Sequence, residues 1–331
     1  MKHTFNISPL LQSHILEFSY QLPFAKSMKL LNTVLTRAQM GASQSQRLMA
    51  YYGQLAEVED QLLTRGFESN SLNKKKKDIL YAQVDGGHLL TDDGYRETKV
   101  GRLFKASDIK KISSEEAGIE LRNRLEQSDY IAHLGNYQPF TKRFDQLIDN
   151  HIKTKSYNLV LISDGADWIA RWQKEKYPSA TMILDFYHAL EHLGTFAKMI
   201  YNSTKNKGDW MAKQKKNLLE GNLDIVIKAI KEKSSNRKAA IKEKADILVN
   251  YYEKNRYRMN YKEYLEKGLC IGSGAIESSI STVVQQRCKL VGQRWTGRVQ
   301  SVFNIRALYM SNKKDNLIKI INQQMGYNIA A

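Results

Sequence analysis

Three observations predict an α/β fold. Leu159-Val160-Leu161-Ile162 is a short apolar run that stops at Ser163-Asp164-Gly165, which reads as a buried strand ending on a carboxylate and a turn. Trp168, Ile169 and Trp172 then recur at helical spacing as far as Tyr177-Pro178, and Thr181-Met182-Ile183-Leu184 forms a second apolar run ending on Asp185. Open α/β sheets hold ligands outside the carboxyl ends of their strands, so Asp164 and Asp185 stand where chemistry is placed. Asp185 and His188 lie three positions apart, on one face of a helix that begins there.

In chain order, Pro9 to Leu22 and Phe24 to Leu35 carry helical periodicity, and Gly41-Ala42-Ser43 separates them from a longer helix running to about Leu63. A small helical domain is predicted over residues 1–65. Its second and third helices meet at a short glycine-containing turn, as in helix-turn-helix DNA readers, with Gln44, Ser45 and Arg47 at the front of the recognition helix; such pairs also occur as packing units alone. Residues 66–78, FESNSLNKKKKDI, read as a basic linker. Residues 79–188 form the first part of the α/β core. There Ile79 to Val84 is a strand halted by Asp85-Gly86-Gly87, Tyr95 to Phe104 alternates as its half-buried partner, Tyr130 to Leu134 is a third strand, and a helix near Phe140 to His151 leads to the opening unit. Residues 189–270 carry helical stretches such as LLEGNLDIVIKAI and read as an all-α insertion. Residues 271–312 return to the core: Gly272-Ser273-Gly274 can break or start a helix and is followed by a helical stretch with Glu277 in its first turns, and an amphipathic helix from about Gly297 to Ser311 carries Arg298 and Arg306. Residues 313–331 are a tail.

The 331 residues suffice for one large core or two to three smaller ones. Lys and Arg number 51 against 34 Asp and Glu, a formal charge of +17, and the pI is near 9.6. That balance favours a polyanionic partner, nucleic acid first, although lysine runs such as Lys74 to Lys77 and Lys213 to Lys216 also occur on solvated faces. No apolar stretch approaches the ~18 residues of a membrane span and no secretory signal opens the chain, so no membrane partner and a cytoplasmic location are expected. Cys270 and Cys288 are the two cysteines, too few for a disulfide framework or a cysteine-rich zinc site.

Asp85, Asp164 and Glu277 are three acids, the first two at predicted strand ends and the third on a helix beyond a long insertion. Hard carboxylate oxygens are what Mg²⁺ or Mn²⁺ requires, and two such ions ~3.5–4 Å apart activate one oxygen and stabilise the other in phosphodiester displacement. Any one of them alone is an ordinary acid at a turn or a helix start.

Taken together, YAQVDGG, YRETKVGRLF, ISDGADWI, ILDFYHALEHL, RMNYKEYLEKGLCIGSGAIES and QRCKLVGQRW resemble the DDE transposases of bacterial insertion sequences, specifically the ISKra group, distantly similar to Mutator-like and hAT elements. The resemblance covers roughly residues 8 to 312. It implies an RNase H-like core interrupted by the helical insertion, with Asp85, Asp164 and Glu277 holding Mg²⁺ or Mn²⁺, two ions in all. Asp185 and His188 match a D-x-x-H signature that follows the second acid, which leaves Asp185 as a rival ligand. It implies water attack on the phosphodiester at the element's ends, then strand transfer by the 3′-hydroxyl, on double-stranded DNA and by a homo-oligomer assembled there. Lys289, Arg294, Trp295 and Arg298 form a basic stretch for DNA contacts, in which Trp295 either stacks on an unpaired base or anchors the last helix. A shortened, inactive transposase-derived DNA-binding protein is the alternative, and a phosphohydrolase of small molecules a distant third.

Overall fold

The computed structural model describes residues 5–37, 39–58, 78–112, 122–154, 156–272 and 280–326. The chain divides into two units, one of Met1–Asn158 with Glu277–Ala331 and one of Leu159–Ile276. The fold is mixed α/β. Among the described residues no helix is long and apolar enough to cross a membrane.

The first unit opens with α1 (Pro9–Gln21), α2 (Phe24–Val34) and α3 (Ala42–Val58). Ser8 caps α1 by accepting the Leu11 N–H, and Pro9 at the first helical position has no amide to leave unsatisfied. The strands β1 (Asp78–Thr91) and β2 (Gly94–Lys105) follow, then the pair β3 (Ile109–Ile112) and β4 (Arg122–Leu125), then β5 (Asp129–Leu134) and α4 (Tyr137–Thr154). β1 and β2 are antiparallel, joined through the pairing Thr91↔Gly94, a two-residue turn whose Gly94 has φ +92°. β5 adds antiparallel to the far side of β2. Two sequence expectations are corrected here. Asp85-Gly86-Gly87 does not halt β1, because the tight turn at residues 92–93 holds Asp85↔Val100, Gly86↔Lys99 and Gly87↔Thr98 in register. The β3–β4 pair has no counterpart in the sequence reading. The predicted linker at 66–78 lies outside the described residues except for Asp78, which begins β1.

The first unit is completed from the C-terminal part of the chain by a π-helical turn (Ser281–Gln285) leading into α11 (Gln286–Cys288), then α12 (Val299–Met310) and α13 (Lys314–Gln324). α13 occupies what reads in the sequence as a tail. α12 is also a correction: it is not amphipathic but buried along nearly its whole length, because it packs against α3, β5 and the π-helical turn together. Its Arg306 is therefore inside, donating to the carbonyls of Tyr20, Val283 and Thr282. Ile15, Leu31, Leu48 and Tyr52 from the N-terminal helices share one apolar core with Val100, Ala132, Val302 and Leu308. Residues 1–65, set apart by the sequence reading, thus contribute their described helices to the same core as the sheet.

Contact between α3 and α12 is close enough to require glycine. A Cβ added to Gly53 would stand 2.5 Å from the Ser301 Cα, and backbone cannot yield as a side-chain tip can. Gly53→Ala is expected to cost ~1–3 kcal/mol through this overpacking, measurable by chemical denaturation.

The second unit begins in β6 (Tyr157–Ser163) and continues through α5 (Asp167–Lys176), β7 (Thr181–Leu184) and α6 (Phe186–Ile200). β6 and β7 are parallel, in register from Val160↔Thr181 to Ser163↔Leu184, as the strand-helix-strand pattern requires. α7 (Thr204–Leu219), α8 (Leu223–Ser234), α9 (Ala239–Asn255) and α10 (Tyr261–Glu266) follow. Every regular element from Phe186 to Gly272 is helical. Ala189, Leu193 and Phe196 on α6 and Leu248, Val249 and Tyr252 on α9 are buried, and the Tyr252 hydroxyl donates to the Ala189 carbonyl at 2.9 Å.

Candidate functional site

Asp85 lies mid-strand on β1, half-buried, with Oδ1 accepting the Gly86 N–H at 2.8 Å. Alternation along a strand puts Asp85, Gly87 and Leu89 on one face. Ile280 covers that face: a Cβ on Gly87 would meet its Cγ1 at 3.4 Å. The chain just beyond Glu277 is thus seated two positions from Asp85. Glu277 itself lies outside the described residues.

Asp164 follows the last residue of β6. Its Oδ1 accepts the Ala166 N–H at 3.0 Å, closing a side-chain turn that carries the backbone out of the strand, while Oδ2 accepts no hydrogen bond among the described residues. Gly165 makes the turn at φ +101°, and a Cβ there would lie 2.9 Å from Leu184 Cδ1. Two groups from the helical segment hold the turn. The Tyr251 hydroxyl donates to the Asp164 carbonyl at 2.8 Å, and the fully buried Arg258 guanidinium donates to the Gly165 carbonyl at 2.9 Å and, through Nε, to Asn255 Oδ1 at 2.6 Å. Burial, then the nearby Asp164 charge, push the Tyr251 hydroxyl pKa up, so it stays a donor. These two clamps stand 87 and 93 positions from their partners, and no periodicity or motif in the sequence points to them.

Asp185 is the N-cap of α6. Its Oδ1 accepts the N–H groups of Tyr187 at 2.9 Å and His188 at 3.1 Å, and a Cβ on Gly272 would stand 2.8 Å from the same oxygen, so the first glycine of the Gly-Ser-Gly segment makes room for the cap. His188 follows one turn into the helix, with its Nε2 3.1 Å from His192 Nε2 and its Nδ1 3.7 Å from Glu191 Oε2. Burial, and then the neighbouring His188, lower the His192 pKa. His192 was not singled out in the sequence, although its spacing of four from His188 was there to be read.

Both Asp85 and Asp164 offer hard carboxylate oxygen with one oxygen steadied by a local amide, a donor type that fits Mg²⁺ or Mn²⁺. Among the described residues no group of three or more His, Cys, Asp or Glu side chains is gathered as a metal set.

The predicted DNA-contact residues differ in placement. Arg47 on α3 is exposed, with Nε 3.4 Å from the Ser43 carbonyl, whereas Ser45 is buried against Ser19 at 2.5 Å and Gln44 accepts the Gly41 N–H. Lys289, Arg294 and Arg298 are exposed; Arg294 bonds the Thr91 and Asp92 carbonyls and the Asp92 carboxylate. Trp295 is buried, its indole N–H donating to the Cys288 carbonyl at 2.9 Å, with the Arg287 guanidinium 5.2 Å from its ring and 5.0 Å from that of Phe24. Of the two roles weighed for Trp295, these contacts are those of an anchor. Burial lowers the Arg287 pKa to about 10.

His133 on β5 lies beside Lys99 in register, and burial, then Arg143, Lys99 and Arg96, lower its pKa to about 4. The ordinary value is 6.5. Above 6.5 the ring is neutral folded or unfolded; below it the unfolded chain takes up a proton that the folded chain refuses until about pH 4, so stability falls as pH drops through this window. Denaturation at pH 7 and pH 5 should show that loss, and His133→Gln should reduce it.

Compared with models of known protein families and with curated proteins, the chain matches none.

Proposed function

We propose that this chain is a DDE-type DNA transposase with an RNase H-like core, in which Asp85, Asp164 and Glu277 hold Mg²⁺ or Mn²⁺. The observation that carries the reading is the seating of Ile280, three positions beyond Glu277 in the sequence, against β1 on the face of Asp85. Supporting it are an antiparallel sheet of order β5-β2-β1 carrying Asp85, and a parallel strand-helix-strand unit with Asp164 at its carboxyl end. When bound, the ions supply Lewis acidity toward a phosphodiester and a nucleophilic oxygen at neutral pH. The chain's part is to fix the carboxylates: the Ala166 amide orients Asp164, and Tyr251 and Arg258 keep its turn from moving. Asp185 Oδ1 caps α6 by accepting the Tyr187 and His188 N–H groups, which fixes the backbone that carries His188, and Asp185 stays the rival to Asp164 for the second acid. Exposed Lys289, Arg294, Arg298 and Arg47 supply phosphate contacts, and a homo-oligomer on duplex DNA is the working form.

The test is Mg²⁺-dependent cleavage and strand transfer on duplexes carrying the ends of the host element, identified as inverted repeats flanking the coding sequence. Binding without cleavage would leave a DNA-binding protein derived from such an enzyme. Binding itself should be steeply salt-dependent: if about six phosphates are neutralised, affinity falls on the order of 10³-fold between ~50 and ~200 mM salt. An affinity flat across that range would remove duplex DNA as the partner.

A further inference from the structure

We propose that His188 and His192 form a two-imidazole clamp for a borderline divalent transition ion such as Zn²⁺ or Ni²⁺, a donor type different from that of the hard carboxylates. The two rings stand one turn apart on α6, with Nε2 atoms 3.1 Å from each other, centroids 4.7 Å apart and planes at 87°. An ion bound at ~2.0–2.1 Å to both nitrogens would subtend about 98° across a 3.1 Å gap, between the octahedral and tetrahedral values. The clamp is held in place by its surroundings. The His188 backbone N–H is fixed to the Asp185 cap, and the His192 ring lies 4.6 Å from that of Tyr251. Glu191 sits 3.7 Å from His188 Nδ1, where an outer carboxylate favours the tautomer that leaves the Nε2 lone pair for a metal. His188 is half-buried and His192 reaches the surface, so water can complete the coordination shell. Imidazole nitrogen selects Zn²⁺, Ni²⁺, Cu²⁺ or Co²⁺ over Mg²⁺.

In the absence of metal the same geometry is an imidazole–imidazole hydrogen bond in which one Nε2 carries the hydrogen; on binding, that ring gives up its Nε2 proton to water and takes one at Nδ1, so both rings stay neutral and both Nε2 lone pairs meet the ion. The inference does not depend on the transposase reading, and its readout is binding alone. Zn²⁺ and Ni²⁺ are titrated calorimetrically into the full-length protein with excess Mg²⁺ present, and Cu²⁺ is added for electron paramagnetic resonance. One saturating site is expected, undisturbed by Mg²⁺, with hyperfine coupling from two imidazole nitrogens. Affinity should fall at least tenfold in His188→Ala and again in His192→Ala, both at the helix surface, with circular dichroism confirming that each is folded. No saturable binding overturns the proposal. So does binding undiminished in the double variant, which would assign it to other histidines, or a loss on replacing one ring but not the other, which would mean a single-imidazole site.

Discussion

Asp164→Asn is expected to reduce Mg²⁺-dependent DNA cleavage by more than about 10³-fold, the scale seen when one member of a catalytic unit is lost. The substitution is nearly isosteric. An asparagine Oδ1 still accepts the Ala166 amide, and the Tyr251 and Arg258 bonds run to backbone carbonyls that the change does not touch. What disappears is a negative charge at an oxygen that has no partner among the described residues, and a hard divalent cation depends on that charge. Asp85→Asn and Glu277→Gln should behave alike, each folded and each still binding duplex DNA, with affinity unchanged or raised because one charge repelling phosphate is gone. Asp185→Asn should keep measurable activity, since asparagine caps a helix as well as aspartate does. Wild-type cleavage by Asp164→Asn would strike it from the site, and full loss in Asp185→Asn with a stable fold would hand the second position to Asp185.

The largest expected effect on stability belongs to Asp129→Asn. The Asp129 carboxylate lies at the start of β5 between Lys313 Nζ at 3.1 Å and His151 Nε2 at 3.0 Å, all three side chains under a tenth exposed. With the carboxylate charge gone, the buried Lys313 ammonium loses the counter-charge that stood 3.1 Å away, at a cost of ~3–5 kcal/mol. Set against a typical total of ~5–15 kcal/mol, that is enough to unfold part of the population at 37 °C. Adding Lys313→Met should recover much of the loss, because the buried ammonium is then gone and the amide at position 129 can still hydrogen-bond His151 Nε2. Urea denaturation of the two single variants and the double variant measures the coupling; a loss under about 1 kcal/mol in Asp129→Asn would mean that water reaches the lysine.

The strands and helices that were legible in the sequence were those whose own residues pay for their burial once packed: Val160 to Ile162, Met182 to Leu184, the α5 stripe of Ile169 and Trp172, and the Ser8-Pro9 start of α1. Where the reading failed, the deciding contact was distant. Nothing local announces that β1 runs on through Gly86-Gly87, since that is settled by a turn five residues later and by the partner strand. In sequence α12 reads as two-sided because it carries Arg298 and Arg306, yet Arg306 is satisfied inside by three carbonyls from elsewhere. At the candidate site Asp85, Asp164, Asp185 and His188 were legible as residues standing beside turns. The roles of Tyr251 and Arg258 were not, because a tyrosine or arginine on a helix reads as ordinary surface until its partner's backbone is placed.

The Gly53–Ser301 contact also bears on how the chain is made. The two residues are 301−53=248 positions apart, and at ~5–20 residues per second a ribosome takes roughly 12–50 s to deliver the second after the first. During that interval α1–α3 can pack on one another, as through the Tyr52–Gln12 hydrogen bond, but lack α12, while residues 159–276, contiguous in sequence, are already complete and free to fold. The N-terminal helices are thus the last part of the newborn protein to find their seat, and it is there that a chaperone has most to protect.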